Sequence, residues 1–373
     1  MNAETQKALL DVLSQHQAYL YRASSQNVND LLKVFDKLSN EQLLKLGELF
    51  ENLTDSERKV LQGFNFASKS KSSPNIEDIK TILNEWFSSL NSELLPIFEQ
   101  SAVALAVYEA GYTIKLMGEK LTIDDEKIYQ NAKKMPFSGG QLVNSLFSDI
   151  SASLRKKVEY TIRDGFSNGQ TNQQIVQRIK GKKSLDYKDG ILESERYVID
   201  RQVRTARSHV SNSTYIDTYK ALGYEYVKVV ATLDGRTCKY CASIDGKVYR
   251  VDNPARPRFP VHPHNRTTYI GCGKGGEVAG KRPFVADKRS VKDIPKDQRD
   301  GKIGQVDANT SFKSWFDDQD DGFKRKWLGK SKFELYQNRN YSLDKFVDPL
   351  NHRGYTLAEM KALDKETFEA VGL

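Results

Sequence analysis

Apolar residues recur at three- and four-residue intervals over most of the chain, the spacing of one face of an α-helix. From Glu4 to Phe66 one set is Leu9, Leu10, Leu13, His16 and Leu20, a second Leu31, Leu32, Phe35 and Leu38, and a third Leu43, Leu46, Leu49 and Phe50. Ser39 or Asn40 can cap a new helix, and Thr54 with Glu57 three residues on has capping-box spacing. The run therefore predicts a small bundle of short amphipathic helices over 1–67, with His16 packed on an apolar face and not a ligand. Ser68 to Asn75 is small and polar and reads as a flexible linker with a domain boundary. Helical spacing resumes over 76–135 with Ile79, Leu83, Trp86, Phe87 and Leu90, where Pro96 should start or kink a second segment.

Gly139-Gly140 breaks the pattern before a long helix with Leu142, Leu146, Ile150, Leu154, Val158 and Ile162 on one stripe. Gly165 and Gly169 mark its end, and Thr171 begins a shorter helix through Ile179. Glu193 to Leu222 predicts another long helix, stopped at Gly223. Then the period changes. Tyr224 to Ala231 is β-branched and aromatic, a strand by composition, and ends near the turn signal Asp234-Gly235. Lys247 to Val251 and Thr267 to Ile270 are further strand candidates, so a small antiparallel sheet is expected on the helices. Lys288 to Gln305 is charged and aperiodic, a linker over 286–310. Short helices close the chain over 311–373, with Trp315, Phe316, Phe323, Trp327 and Leu328 among their apolar positions. The fold class expected is mainly α with a small antiparallel β module, α+β, in an elongated multi-helix protein.

Composition narrows the class. Of 373 residues, 38% are hydrophobic and 28% charged, a soluble globular balance. The most apolar run, Ala102 to Val107, lies between Glu99 and Glu109, far short of the ~20 residues a bilayer demands. Met1 to Leu10 lacks the parts of a signal peptide, so the chain is expected to stay where it is made. Three cysteines cannot build a disulfide framework, which fits a reducing cytoplasm. The net charge of +8 is regional: residues 201–300 hold 20 basic side chains against 10 acidic ones. Such a block attracts polyanions, nucleic acid foremost, or docks on an acidic protein.

Cys238-Lys239-Tyr240-Cys241 places two thiols on one tight knuckle, and His262-Pro263-His264 follows about twenty residues on. In an extended segment both imidazoles would face the same way, so Cys238, Cys241, His262 and His264 could close a structural zinc site, with Cys272 competing as fourth ligand. The other reading is packing: two buried small thiols on a turn and histidines bonded to backbone. A closed site would leave zinc no open position, which argues against a metallohydrolase. No βαβ context favours thioredoxin-like redox chemistry. The alternative enzymatic reading is a metal-dependent nuclease on the Cys238/Cys241/His262 knuckle. It lacks a neighbouring acidic-histidine pair and a downstream histidine before His352. No Walker loop, dinucleotide fingerprint or nucleophile elbow appears.

Taken in order, these segments resemble the phage head morphogenesis family, the minor head (minor capsid) proteins of Mu-like phages. Arg204-Thr205-Ala206-Arg207-Ser208, followed by Tyr215, Tyr219 and Gly223, is similar to the family's arginine-rich helix. Asp234 through Ala242 and then Asp245-Gly246-Lys247-Val248-Tyr249 resemble its knuckle. Pro260 to Arg266 is similar to its PxHPxCR ending, and Gly165 to Thr171 to its glycine-bracketed helix break. Trp315 to Lys330 and Leu343 to Glu359 look like the tail that often follows. Where many members carry cysteine this chain has Asn265, and Thr267 stands where another is common. Asp234 and Arg236 are expected to pin the turn before the knuckle.

The resemblance covers about 136–360 and makes 136–285 the head-morphogenesis domain. It implies a non-enzymatic virion component in the capsid interior near the portal protein, present in host cytoplasm before assembly. Its role would lie in head assembly, with a later part in DNA packaging or ejection, and it implies no membrane. Against packaged double-stranded DNA, Arg201, Arg204, Arg207, Arg256, Arg258, Lys281 and Arg282 would neutralise phosphates without reading bases.

Overall fold

The structure, a computed structural model, describes residues 9–337 and 341–373, with side chains from residue 23 onward other than that of Asp125. The packed role expected for His16 lies outside the described side chains. Helices dominate and the sheets are small, as the periodicity predicts. Among the described residues no helix is long and apolar enough to cross a membrane.

The first apolar stripes lie on one helix, α1 (Leu9–Glu51), and not on a series of short ones. Neither expected cap interrupts it. Ser39 is buried and accepts from Trp86 Nε1 at 3.2 Å, while Asn40 Nδ2 turns back to the Asp36 carbonyl at 2.8 Å, so both side chains are spent without freeing an amide. Thr54 does cap α2 (Asp55–Leu61), with Glu57 closing the box. The polar stretch after it is no boundary. Glu57 also takes Ser73 Oγ at 2.5 Å and Asn75 Nδ2 at 3.1 Å, which ties the stretch to α2 where α3 (Pro74–Leu116) begins. Pro96 sits inside α3 without ending it, because Leu94 and Phe98 are both buried and hold the helix on either side.

The chain divides into two units. One gathers Tyr21–Leu105 and Tyr129–Val210; the other includes Ala106–Ile128 and Ser211–Leu373. The first is wholly helical and contains α4 (Asp125–Lys134, in part), α5 (Val143–Ser167), α6 (Asn172–Lys180) and most of α7 (Ile191–Ala221). Its core includes Trp86 stacked on Phe87 and Phe98 against Phe147. Gly165 lets α5 and α6 meet: a Cβ there would lie 2.4 Å from Ile175 Cγ1. Thr171 caps α6 by a second capping box with Gln174.

The second unit holds the strands. β1 (Tyr226–Val230) is the centre of an antiparallel sheet between β3 (Val248–Arg250) and β4 (Thr268–Cys272), with Val227 opposite both Tyr249 and Gly271. A second sheet orders β2 (Leu233–Asp234), β5 (Lys281–Val285) and β6 (Ile303–Asp307), β2 pairing parallel to β5. β6 falls within the stretch expected to be a linker, where pairing with β5 supplies the order that periodicity did not show. The C-terminal helices are no separate tail. Phe312, Trp315, Phe316, Trp327 and Phe333 are buried in one cluster with Val227, Val229, Tyr240 and Ile270, so α9 (Phe312–Asp317), α10 (Asp321–Leu328) and α11 (Lys330–Gln337) complete the core under the sheet. The β7–β8 hairpin (Val347–Asp348, Arg353–Gly354) and α12 (Leu357–Leu363) and α13 (Lys365–Ala370) follow.

Candidate metal centre and basic residues

Asp234 builds the approach to the knuckle. Its buried carboxylate accepts from the Arg236 and Thr237 amides at 3.0 and 2.9 Å, which shapes the turn as expected, and takes Arg266 in a two-pronged pair at 2.5 and 2.8 Å. Burial pushes this carboxyl up, but Arg266 and Arg236 outweigh it and hold its pKa below the usual value. The turn delivers Cys238 to the N-cap of α8 (Lys239–Ile244), where its sulfur accepts from the Cys241 amide at 3.3 Å.

Cys238, Cys241 and His262 come together, their ligand atoms within 4.8 Å of one another. His262 Nε2 lies 3.0 Å from Cys238 Sγ and 3.8 Å from Cys241 Sγ. Its Nδ1 is 2.9 Å from the Pro263 carbonyl, which can only accept, so that nitrogen carries hydrogen and Nε2 is the atom presented to the sulfurs. Hydrogen bonding to Cys241, with His262 adding to it, brings the Cys238 thiol down to about 4 despite burial, while Cys241, bonded to that sulfur and buried, is pushed up. The bond to Cys238 raises His262.

His264 is not in the group. The segment is a turn, with the Asn265 amide on the His262 carbonyl and His264 at a φ of 58°, so the alternation of an extended strand does not apply and His264 is exposed. Cys272 is buried on β4, outside the three-donor group, and burial raises it to about 11. Asn265, standing where the family often has cysteine, donates Nδ2–H to Cys241 Sγ at 3.0 Å, and its Oδ1 accepts from the Thr267 amide at 3.1 Å. The first of these departures from the family pattern therefore still touches Cys241, and the second is tied to it through Asn265.

Three donors fit a zinc ion's chemistry. Sulfur at about 2.3 Å and nitrogen at about 2.0 Å from a tetrahedral ion require donors roughly 3.5 Å apart, and the two sulfur–nitrogen distances bracket that value. The carbonyl behind Nδ1 is the outer contact that orients a ligating histidine. His352, far off in sequence, packs its ring against Tyr240 of α8 at a 41° tilt, with ring centroids 4.7 Å apart.

The seven basic residues are shared between the two units. Arg201, Arg204 and Arg207 belong to one unit and Arg256, Arg258, Lys281 and Arg282 to the other. Arg207 and Arg282 are only 7% and 4% exposed, which removes them from any phosphate contact. Arg207 bonds Ser101 Oγ. Arg282 clamps Asp245 through Nη1 and Nη2 and donates to the Thr310 and Ala231 carbonyls. Arg204 pairs with Asp200 at 2.9 Å, and Arg256 lies over the Tyr269 ring. Arg201, Arg258 and Lys281 remain exposed. The Asp245–Arg282 hub escapes a sequence reading, because 37 residues separate its partners and no local spacing links Arg282 to the motif that holds Asp245.

Residues 156–270, under a third of the chain, match the family model described as phage Mu protein F like protein. This segment is similar to that family. It runs from within α5 through the knuckle and His262 to β4. The match bears out the resemblance to the head morphogenesis family over a shorter span than the motifs suggested, and it points to a role in phage head morphogenesis. The aromatic helices that close the core lie beyond the Mu F-like segment. No curated protein and no solved structure matches the chain.

Proposed function

We propose that the protein is a minor head protein of a phage particle, held in the capsid interior near the portal protein, where it acts in head assembly and later in DNA packaging or ejection. The match over 156–270 carries this reading. In this role the chain works by adhesion and not by catalysis. The excess of basic side chains in 201–300 supports contact with packaged double-stranded DNA without base reading, made by Arg201, Arg258 and Lys281, which are exposed. Cys238, Cys241 and His262 supply three of the four ligands of a zinc ion that steadies the knuckle between β2 and β4, its fourth position left to a donor outside this group. Zinc bound there would keep both sulfurs as thiolates.

Gradient-purified particles should contain the chain in a few copies; particles without it overturn the reading. Purified protein incubated with plasmid and magnesium or manganese should leave the DNA intact, and divalent-dependent cleavage abolished by His262→Ala would replace adhesion with nuclease action. Elemental analysis should find about one zinc per chain, reduced to near zero in Cys238→Ser. A wild-type value near zero leaves the packing reading of the cysteines.

A further inference from the structure

Beside the knuckle, the second unit has a cavity of about 180 Å³ between the end of β5, the start of β6 and α10. Its apolar wall is Phe323 and Trp327, and three lysines line it: Lys288, Lys302 and Lys326. Among the described residues, no carboxylate pairs with any of the three within 4.0 Å. The two acidic residues at the cavity are engaged elsewhere. Asp287 takes the Arg289 backbone amide, Nε and Nη2 at 2.8, 3.1 and 2.8 Å, and Asp320 caps α10 through the Phe323 amide at 2.7 Å. Asp287 acts on Lys302 only from beyond ion-pair distance. A fourth ammonium adjoins: Lys239 Nζ lies 4.6 Å from the centre of the Trp327 ring, and the charges of Lys288 and Lys332 act on it.

Like charges gathered around one concavity repel, and an anion bound among them removes that repulsion. We infer that this cavity binds a phosphate group through Lys288, Lys302 and Lys326. Phosphate suits the place because it offers several acceptor oxygens to separate point-charge donors, the way lysine rather than arginine holds it. The volume accommodates one such group with water and is too small for a base and sugar as well. Two sources share this chemistry, the backbone of a nucleic acid and free inorganic phosphate. The first rests on the DNA contact proposed above; the second does not.

The test compares the full-length triple variant Lys288→Ala/Lys302→Ala/Lys326→Ala with a control that loses equal charge at exposed sites, Lys274→Ala/Lys313→Ala/Lys330→Ala. Binding of a labelled random-sequence 30-base-pair duplex is followed by anisotropy from 50 to 200 mM salt, and binding of inorganic phosphate by titration calorimetry. Loss of the cavity lysines should weaken duplex binding about tenfold or more and lower the slope of log affinity against log salt by about 1, the value for one phosphate contact at close to 0.9 each. The control should change affinity less than threefold. If the cavity variant loses only the titration with inorganic phosphate, the site stands and its source is the free ion. Equal effects of the two triple variants on both probes, or no effect of the cavity variant on either, overturn the inference. Lys288→Glu/Lys326→Glu, which alters exposed side chains alone, replaces the triple variant if circular dichroism shows that one unfolded. None of these readings depends on particles, so the cavity and the virion role fail separately.

Discussion

Asp245 carries more of the second unit's structure than its place in a short turn suggests. It accepts from the Ala231 and Phe312 amides at 2.7 and 2.6 Å and from Arg282, with Arg282 returning to two carbonyls. One carboxylate thus joins the end of β1, the second sheet and the start of α9. Removing one member of a buried pair leaves the other charge without compensation, at a cost of about 3 to 5 kcal/mol. Asp245→Ala should destabilise by that amount, read as a lowered denaturation midpoint with the slope retained. A change below about 0.5 kcal/mol, the size of an ordinary surface substitution, would deny the hub its role. The knuckle residues act on a smaller scale. Cys241 accepts from Asn265, which in turn takes the Thr267 amide, so the fold there has polar support whether or not an ion adds to it.

At the scale of elements, caps and polar tethers decide where helices begin. The capping box of α2 also gathers Ser73 and Asn75, so Glu57 serves two helix starts. Hydrogen bonds from Ser73, the Thr54 amide and Asn75 bring its carboxyl from 4.5 down to about 2. A folded pKa below the unfolded one means the stabilisation is complete above about 4.5 and is lost as pH falls toward about 2. Glu57→Gln should therefore lower the melting temperature at pH 6 and make little difference at pH 2. A gap that stays constant across this range would show that the carboxylate charge is not what the tethers recognise. Pattern reading found this box because both partners are local. It missed the continuity of α1, because whether Ser39 caps or packs depends on Trp86, 47 residues away.

For the molecule as a whole, the telling feature is that the end of the chain completes the middle. Trp327 donates Nε1–H to the Thr237 carbonyl at 3.0 Å, and Lys239 bonds the Trp327 carbonyl at 2.8 Å. The sheet centred on β1 therefore has its core closed by helices that follow it by some eighty residues. A chain ended after Thr310 should lose hydrogen-exchange protection at Val227 and Val229, whose side chains lie in that shared cluster. Protection equal to that of the full chain would make the C-terminal helices an accessory.

By itself the sequence determined the helical class, the β-rich knuckle, the Thr54 and Thr171 caps, the grouping of Cys238 and Cys241, and the resemblance that the family match bears out. The resemblance rests on the order of several motifs; each of the others rests on residues within a few positions of one another, where spacing alone fixes direction. Tertiary structure decided the rest. It separated His264 from His262 by a turn, buried Arg207 and Arg282, ordered Ile303–Asp307 through β5 and drew the final helices into the core. Those outcomes depend on partners distant along the chain, and burial and ion pairing are settled by which surfaces meet rather than by local period.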